Sequence, residues 1–443
     1  MTDMAVEPNQ LAAVSAGQGI HMTDKAKRRL KARYAAERRF RLIGLGAILF
    51  SLAALAVLLF TILGNGFTAF RQTQLQLEVQ FDPEQIAPLG TTDPAALMKG
   101  NYGALILKSL QEKFPEVKSR SDRRALEALM SSGAEVQLAR MVAADPSLLG
   151  QSRKVWLPAH SNVDVFVKGQ VDTGGAEADR RIKDNQLAWI NALKASGDLE
   201  MRFNTRFFTA ADSREPELVG VWGGVVGSFY TLLVTLSVAF PLGIMAAIYL
   251  EEFAPKNRWT EIIEVNINNL AAVPSIVYGL LGLAVFIGFF GMPRSAPFVG
   301  GLVLALMSLP VIIIAARAAL RAVPPSIRQA ALGLGASPLQ AVLHHVLPLA
   351  MPGILTGTII AMAHALGETA PLLMIGMVAF IVDVPTTPVD AATVLPVQIF
   401  MWADSAERGF VEKTSAAIIV LLVFLLLMNL AAILLRKKFE RRW

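Results

Sequence analysis

The stretch from Arg328 to Pro348 reads R-Q-A-A-L-G-L-G-A-S-P-L-Q-A-V-L-H-H-V-L-P, and it lies between two strongly apolar segments. Small side chains in it would let a partner surface approach the backbone closely. These small residues are Ala330, Ala331, Gly333 and Gly335. Pro338 interrupts the helical pattern, and His344 and His345 make the segment too polar for a membrane span. The stretch therefore predicts a short helix that is presented at the membrane surface by a loop spanning 324–348.

The whole chain has the composition of an integral membrane protein. Of its 443 residues 54% are hydrophobic, and the mean hydropathy is +0.49. A spanning helix needs about 20 apolar residues, and six stretches are long enough. They are Leu42–Leu63, Leu218–Leu250, Leu270–Phe290, Phe298–Leu320, Leu349–Ile381 and Ser415–Leu435. None alternates with the period of two that is typical of a barrel strand, so we expect an all-α bundle of six transmembrane helices. Pro241 and Pro371 are the expected break points in the two longest stretches.

Lysine and arginine residues predict the orientation of these spans. They crowd residues 1–41, ahead of the first predicted span at 42–63, and the tail at 436–443, whereas the loop 383–414 is acidic. Because basic segments stay on the cytoplasmic side, both termini are predicted to be cytoplasmic. The net charge of +6 is then mostly a topology signal. The basic N-terminal segment is expected to lie on membrane lipid, not on nucleic acid.

Residues 64–217 predict an α+β domain on the extracytoplasmic side, inserted after the first span. Leu75–Phe81 and Val163–Val167 alternate like strands. Three segments are spaced like amphipathic helices: 95–114, 122–141 and 185–196. The remaining chain, 218–435, is predicted to form a compact five-helix unit.

The chain lacks the residues of several kinds of active site. It has no cysteine and no G-x-x-x-x-G-K-[ST] motif, which excludes thiol chemistry and a phosphate-cradling P-loop. His344, His345 and His364 lack the H-E-x-x-H spacing of a zinc site. We therefore predict no metal, no cofactor and no catalytic residue. Any process that this chain drives must take its energy from a partner ATPase or from an ion gradient.

Glu368 is the outstanding polar residue of the spans. It is the only acid between Glu264 and Asp383, and it stands in an otherwise apolar segment. A carboxylate there is costly unless it faces protein, a partner charge or water. Gly367 and Pro371 flank it and indicate a locally opened helix. Glu368 is therefore either a functional site or a carboxylate paired for structure alone.

Several motifs resemble those of ATP-binding-cassette importer permeases. The loop resembles their Glu-Ala-Ala loop, whose short helix docks on the cytoplasmic ATPase, although Gln329 replaces the usual glutamate and His345 an isoleucine. Three segments look like the phosphate-specific, PstA-type permease subunits. They are G-E-T-A-P-L-L at 367–373, N-L-A-A-V-P-S-I-V-Y-G-L at 269–280 and P-L-G-I-M-A-A-I-Y-L at 241–250. The resemblance covers about 218–435, and the insertion after the first span looks like a longer form of the family.

This resemblance implies a type I permease fold, a second permease subunit, two copies of a P-loop ATPase and a periplasmic phosphate-binding protein. The implied ATPase-coupling residues are Gln329, Ala330, Ala331, Gly333 and Gly335. The candidates for the translocation path are Glu368, Thr369, Ser275, Tyr278 and Arg317.

The leading function is import of inorganic phosphate, and two alternatives stay open. One is a permease for another oxyanion, such as molybdate, sulfate or phosphonate. The other is a transporter driven by an ion gradient, in which Glu368 is a proton or cation site. For a phosphate path, the Glu368 carboxylate would either pair with a cation from the second subunit or accept a hydrogen bond from hydrogen phosphate.

Overall fold

The computed structural model describes residues 24–87, 93–170, 177, 180–378 and 380–439. The predictions for 1–23 and for the last four residues lie outside this part. The chain forms two compact units, 1–61 and 62–443. Helix α1 runs from Asp24 to Thr68 without a break, so the basic segment and the first apolar stretch belong to one helix of 45 residues.

A three-stranded antiparallel sheet follows α1 almost at once. Its strands are β1 (Arg71–Gln80), β2 (Ser152–Pro158) and β3 (Leu199–Phe203), in the order β2-β1-β3. In the register of the sheet Leu77 lies opposite Val155, and Leu75 lies opposite Leu199. These four side chains are buried in a core against the surrounding helices.

Eight helices pack around this sheet in the described residues. They are α2 (Pro83–Ile86), α3 (Pro94–Leu97), α4 (Tyr102–Lys113), α5 (Arg120–Glu127), α6 (Gly133–Ala144), α7 (Ser161–Val167), α8 (Asp184–Ala195) and α9 (Thr205–Thr209). Two of the three predicted helical segments, 95–114 and 122–141, are each interrupted, by residues 98–101 and 128–132.

The predicted strand at Leu75–Phe81 lies largely within β1, but the one at Val163–Val167 is wrong, because that segment is helix α7. His160 begins the helix, since its Nδ1 accepts a hydrogen bond from the Asn162 amide at 3.2 Å. The alternation V-D-V-F-V is too short to distinguish a period of two from a helical period.

The second half of the chain is helical throughout its membrane-capable parts. Its helices are α10 (Trp222–Ile248), α11 (Arg258–Leu270), α12 (Ser275–Leu281), α13 (Pro297–Arg321), α14 (Pro325–Gly333), α15 (Pro338–Ala341), α16 (Leu347–Gly367), α17 (Ala370–Met374), α18 (Leu395–Ala403) and α19 (Gly409–Phe439). Three π-helical turns extend them, at Tyr249–Phe253, Gly282–Phe289 and Val342–Val346.

Among the described residues, five helices are long and apolar enough to cross a membrane. They run over Lys27–Thr68, Trp222–Phe253, Pro297–Arg321, Pro338–Gly367 and Gly409–Lys438. A sixth span would require the pair α11 and α12 with its π-turn, which is bent by 104° at residues 271–274.

Two of the six predicted apolar stretches differ from the helices in detail. Pro241 lies inside α10 and does not break it. In the fifth stretch the long helix ends at Gly367, well before the predicted end at Ile381, and only the short α17 follows. The expected break near Pro371 is therefore present, and it falls at Glu368 and Thr369.

Candidate functional site

The segment 324–348 folds into two short helices and a turn. Helix α14 begins with Pro325 in its first position, where the missing amide hydrogen costs nothing. It ends before Gly335, whose φ of +89° is a left-handed conformation that glycine adopts without strain. Ser337 and Gln340 then cap α15 reciprocally, because each side chain accepts a hydrogen bond from the other residue's amide.

Three leucines on the two short helices and the turn between them are exposed. Leu332, Leu334 and Leu339 are 47%, 90% and 55% exposed. Of the five predicted coupling residues, Gln329, Ala330, Gly333 and Gly335 are exposed alongside them. The fifth, Ala331, is buried at 6% exposure, so its side chain is not available to a docking partner.

An ion-pair network holds α14 to the neighbouring helices. We call it the arginine network, and its members are Glu251, Glu252, Glu264, Arg317, Arg321 and Arg328. On α14, Arg328 donates from Nε to both carboxylate oxygens of Glu252, at 3.1 and 3.0 Å. Its terminal nitrogens also donate to the carbonyls of Val323 and Leu320 at 2.8 and 2.9 Å. The hydrogen bond with Glu252 raises the pKa of Arg328, so the guanidinium stays charged.

Arg317 belongs to this network. Its Nη2 lies 2.6 Å from Glu264 Oε1, and its Nε lies 3.4 Å from Glu251 Oε2. Arg321 donates from Nε to both oxygens of Glu251, at 2.8 and 2.9 Å. The described contacts therefore place the Arg317 side chain among α10, α11 and α13, and give it no contact with the other four path candidates.

Glu368 lies in the break between α16 and α17. Its amide closes the last turn of α16 by donating to the Ala365 carbonyl at 3.2 Å, and Thr369 begins α17 by accepting from two amides. The Glu368 side chain is 16% exposed, and its Oε1 lies 3.1 Å from His364 Nε2. The sequence reasoning overlooked this partner, although the spacing of four residues on one helix was visible in H-A-L-G-E.

Two of the sequence segments singled out earlier meet at this break. A Cβ on Gly279 would lie 2.7 Å from Cα and 2.8 Å from the carbonyl oxygen of Pro371, so only glycine allows α12 and α17 to approach this closely. Tyr278 is buried, and its hydroxyl donates to the Leu270 carbonyl at 2.8 Å across the bend between α11 and α12. Ser275 opens α12 and is half-buried. The helix break, the bend and three polar candidates, Glu368, Thr369 and Ser275, thus belong to packed neighbouring elements.

A second set of charges, which we call the buried charge cluster, was not predicted. It consists of Asp164, Lys168, Glu412 and Lys413, whose side chains are 1% to 4% exposed. Lys168 directly follows α7, and its Nζ lies 2.7 Å from Asp164 on α7 and 2.8 Å from Glu412 on α19. Thr68, the last residue of α1, donates to Glu412 at 3.0 Å. This cluster joins the sheet-bearing part of the chain to the last helix.

Comparison with known proteins agrees with the motifs. Residues 239–443 match the family described as binding-protein-dependent transport system inner membrane component. The phosphate transport system permease protein PstA 1 of Mycobacterium tuberculosis (strain CDC 1551 / Oshkosh) is 33% identical over 218 residues, which are 48% of this chain and 71% of that protein. The chain belongs to the PstA family of phosphate transport system permease proteins. As a PstA-type permease it is a transport subunit of the inner membrane and not an enzyme.

The other matches are narrower. Residues 27–177 match a domain of unknown function, DUF3333, in agreement with the predicted longer form of the PstA family. The probable ABC transporter permease protein YqgI of Bacillus subtilis (strain 168) is 35% identical over 38% of this chain, and the match spans only 57% of that protein. The match to the inward-facing MetNI methionine ABC transporter covers 50% of this chain and 95% of that chain, with 17% identity and a TM-score of 0.39.

Proposed function

We propose that this chain is the permease subunit of an ATP-driven importer of inorganic phosphate. It pairs with a second permease subunit, and two copies of a cytoplasmic P-loop ATPase and an extracytoplasmic phosphate-binding protein complete the importer. Family membership supports this, and so does the name of the PstA 1 relative, a phosphate transport system protein. Both termini are cytoplasmic in this proposal, and the part around the sheet lies outside.

The observation that carries the proposal is the set of exposed leucines on α14, at its end and on α15. Leu334, at 90% exposure, stands in a segment that also carries Gln329 and two histidines, so it is not a lipid-facing span. An exposed apolar patch with a polar rim marks a surface for a partner protein. Arg328 of the arginine network ties α14 to the π-helical turn after α10 and to the end of α13, so movement of this segment is passed on through side-chain contacts.

The translocation path in this proposal runs beside the α16–α17 break. The exposed His364 and the Glu368 carboxylate lie at this break. Together they can bind a protonated anion through its oxygens and its hydroxyl group. A ring N–H of His364 would donate a hydrogen bond to one negative oxygen, and the Glu368 carboxylate would accept a hydrogen bond from the hydroxyl of the anion. Sulfate has no proton to donate at neutral pH, so this arrangement favours hydrogen phosphate over sulfate.

Co-purification tests the proposed assembly. The tagged chain, expressed in its native host and extracted in detergent, should carry with it a protein that contains a P-loop. Gly335→Trp should still insert and fold but uncouple ATP hydrolysis from phosphate uptake, whereas Gly335→Asn keeps a residue that tolerates positive φ and should retain more coupling. Normal phosphate uptake by the Gly335→Trp variant would contradict the role of this turn.

Uptake of labelled phosphate tests the path. Glu368→Gln keeps the shape and removes the charge, so we expect a loss of uptake of tenfold or more, on the order of one hydrogen bond to a charged group. The matched control is Glu407→Gln, an acid whose ion pair with Arg181 is about half exposed, and it should import at the wild-type rate. Wild-type uptake by Glu368→Gln would remove Glu368 from the path, and sulfate entry in that variant would favour the hydrogen-bond role.

A further inference from the structure

A cleft of about 520 Å³ opens between the sheet-bearing part of the chain and the loop that precedes α18. Arg140 on α6 and Arg206 on α9 line one side of it, and Asp212 and Asp383 line it as well. A neighbouring cavity of about 320 Å³ is lined by the same two arginines. Both guanidinium groups therefore stand at the walls of open space.

The two arginines lack a matching carboxylate in the described part of the chain. Arg206 Nε donates to the Leu218 carbonyl at 3.1 Å, but neither its terminal nitrogens nor any nitrogen of Arg140 has a hydrogen bond or ion pair among these residues. Burial lowers the pKa of Arg206, and the neighbouring charge of Arg140 lowers it further. Two like charges in one wall repel each other, and an anion between them would relieve that repulsion.

The acids near this wall do not supply that anion. Glu215 also acts on the charge of Arg206, but its Oε2 accepts a hydrogen bond from Ser132 at 2.6 Å, and it does not line the cleft. Glu217 is 2% exposed and also does not line the cleft. Its charge also acts on Arg206, but both of its carboxylate oxygens are buried and have no hydrogen-bond partner among the described residues.

The two acids that do line the cleft impose a second requirement on a ligand. Asp212 accepts hydrogen bonds from Trp402 Nε1 at 2.9 Å and from the Ser213 amide at 2.9 Å, which fix its carboxyl group in place. Asp383 is exposed at the other side. A ligand facing both arginines and carboxylates needs negative oxygens and also a proton to donate.

We propose that this cleft is a second oxyanion site, which binds hydrogen phosphate with its negative oxygens on Arg140 and Arg206 and its hydroxyl toward Asp212 or Asp383. Fully ionised sulfate and simple carboxylates have the charge but not the proton, so they bind less well. The site is separate from the α16–α17 break, and it takes the ligand on the isolated chain whether or not the chain transports phosphate.

Titration calorimetry on the purified full-length chain tests this site. In phosphatidylcholine nanodiscs at low ionic strength and about pH 7, inorganic phosphate should bind saturably and more tightly than sulfate, and added salt should weaken it. Arg140→Gln should weaken phosphate binding about tenfold, as expected when a charge-assisted hydrogen bond is lost, and the pair Arg140→Gln/Arg206→Gln should abolish it. The matched control is Arg202→Gln, whose guanidinium stacks on Trp156 at 4.9 Å and does not line the cleft.

The outcomes separate the ligand from its alternatives. If the hydroxyl of hydrogen phosphate donates to Asp212, then Asp212→Asn should reduce the ratio of phosphate affinity to sulfate affinity. Wild-type affinity in the double arginine variant, or equal affinity for sulfate and phosphate in the wild-type chain, would overturn the assignment. Loss of phosphate binding on adding phosphatidic acid to the nanodiscs, together with retention of phosphatidic acid that Arg140→Gln weakens and Arg202→Gln does not, would assign the cleft to a lipid headgroup instead. Because Arg140 is exposed, its variant is expected to fold even if Arg206→Gln does not.

Discussion

The arginine network and the buried charge cluster both tie distant parts of the chain together, but they are built differently. Side chains of the arginine network keep 10% to 59% of their surface exposed, and each guanidinium reaches several acceptors. Side chains of the buried charge cluster keep at most 4%, and its cations are lysines. A guanidinium group that keeps part of its surface in water can exchange acceptors at little cost in free energy. A buried ammonium group cannot leave its partner without the large penalty of an unpaired buried charge. The arginine network is therefore an adjustable joint that holds α14. The buried charge cluster is a fixed joint that holds the sheet-bearing part to α19.

The largest effect should come from breaking the fixed joint. Lys168→Met would leave Asp164 and Glu412 facing only Lys413, and an uncompensated buried charge costs about 3–5 kcal/mol. Thermal unfolding in detergent should show a much lower midpoint for this variant. Lys168→Met/Asp164→Asn restores the balance of charge and keeps an acceptor for the Thr73 amide, so it should recover part of the loss. A midpoint for Lys168→Met equal to the wild-type value would show that water reaches these charges in the folded chain.

A smaller effect on stability, with a larger effect on transport, should follow at the adjustable joint. Arg328→Met removes the bonds to Glu252 and to two carbonyls, and we expect a loss of about 1–3 kcal/mol. The loss of phosphate uptake should be larger than the reduced stability alone would cause, because α14 loses the contacts that anchor it. Arg321→Gln is the control, since an ion pair whose arginine is 59% exposed contributes about 0–1 kcal/mol. Equal losses of stability and uptake in the two variants would show that Arg328 does not anchor α14 more strongly than Arg321 does.

The smallest effect concerns Glu217, a buried acid that belongs to neither charge group. Burial raises its pKa above the unfolded value, so its contribution to stability is fully present below the unfolded pKa and lost as pH rises through the folded pKa. Glu217→Gln removes that loss and should stabilise the chain by on the order of 1 kcal/mol at about pH 8, with little difference near pH 4. Unfolding midpoints across that pH range provide the measurement. A destabilised variant at pH 8 would mean that the ionised carboxylate is needed there.

The apolar helices were predictable because their signal is local. Apolar runs long enough to span a bilayer identified the segments that became α1, α10, α13, α16 and α19, and the break at Glu368 followed from Gly367 and Pro371. The prediction that Val163–Val167 is a strand failed because five residues carry too little periodicity. Nothing near Pro241 in the sequence showed that it would be accommodated inside a continuous helix.

The charged contacts were much harder to predict. His364 and Glu368 lie one helical turn apart, so their contact was within reach of a spacing rule. The partners of Arg317 come from α10 and α11, and sequence spacing along one helix says nothing about which carboxylate lies across the bundle. Ala331 was grouped with its exposed neighbours because composition alone does not say which face of a short helix is buried.

The contact between Lys168 and Glu412 also constrains the biosynthesis of the protein. The two residues are 244 positions apart. At about 5–20 residues per second, the glutamate leaves the ribosome roughly 10–50 s after the lysine. Throughout that interval Lys168 has Asp164 as its partner but lacks its second carboxylate, that of Glu412. A helix made late, α19, therefore completes the set of contacts around a lysine made much earlier.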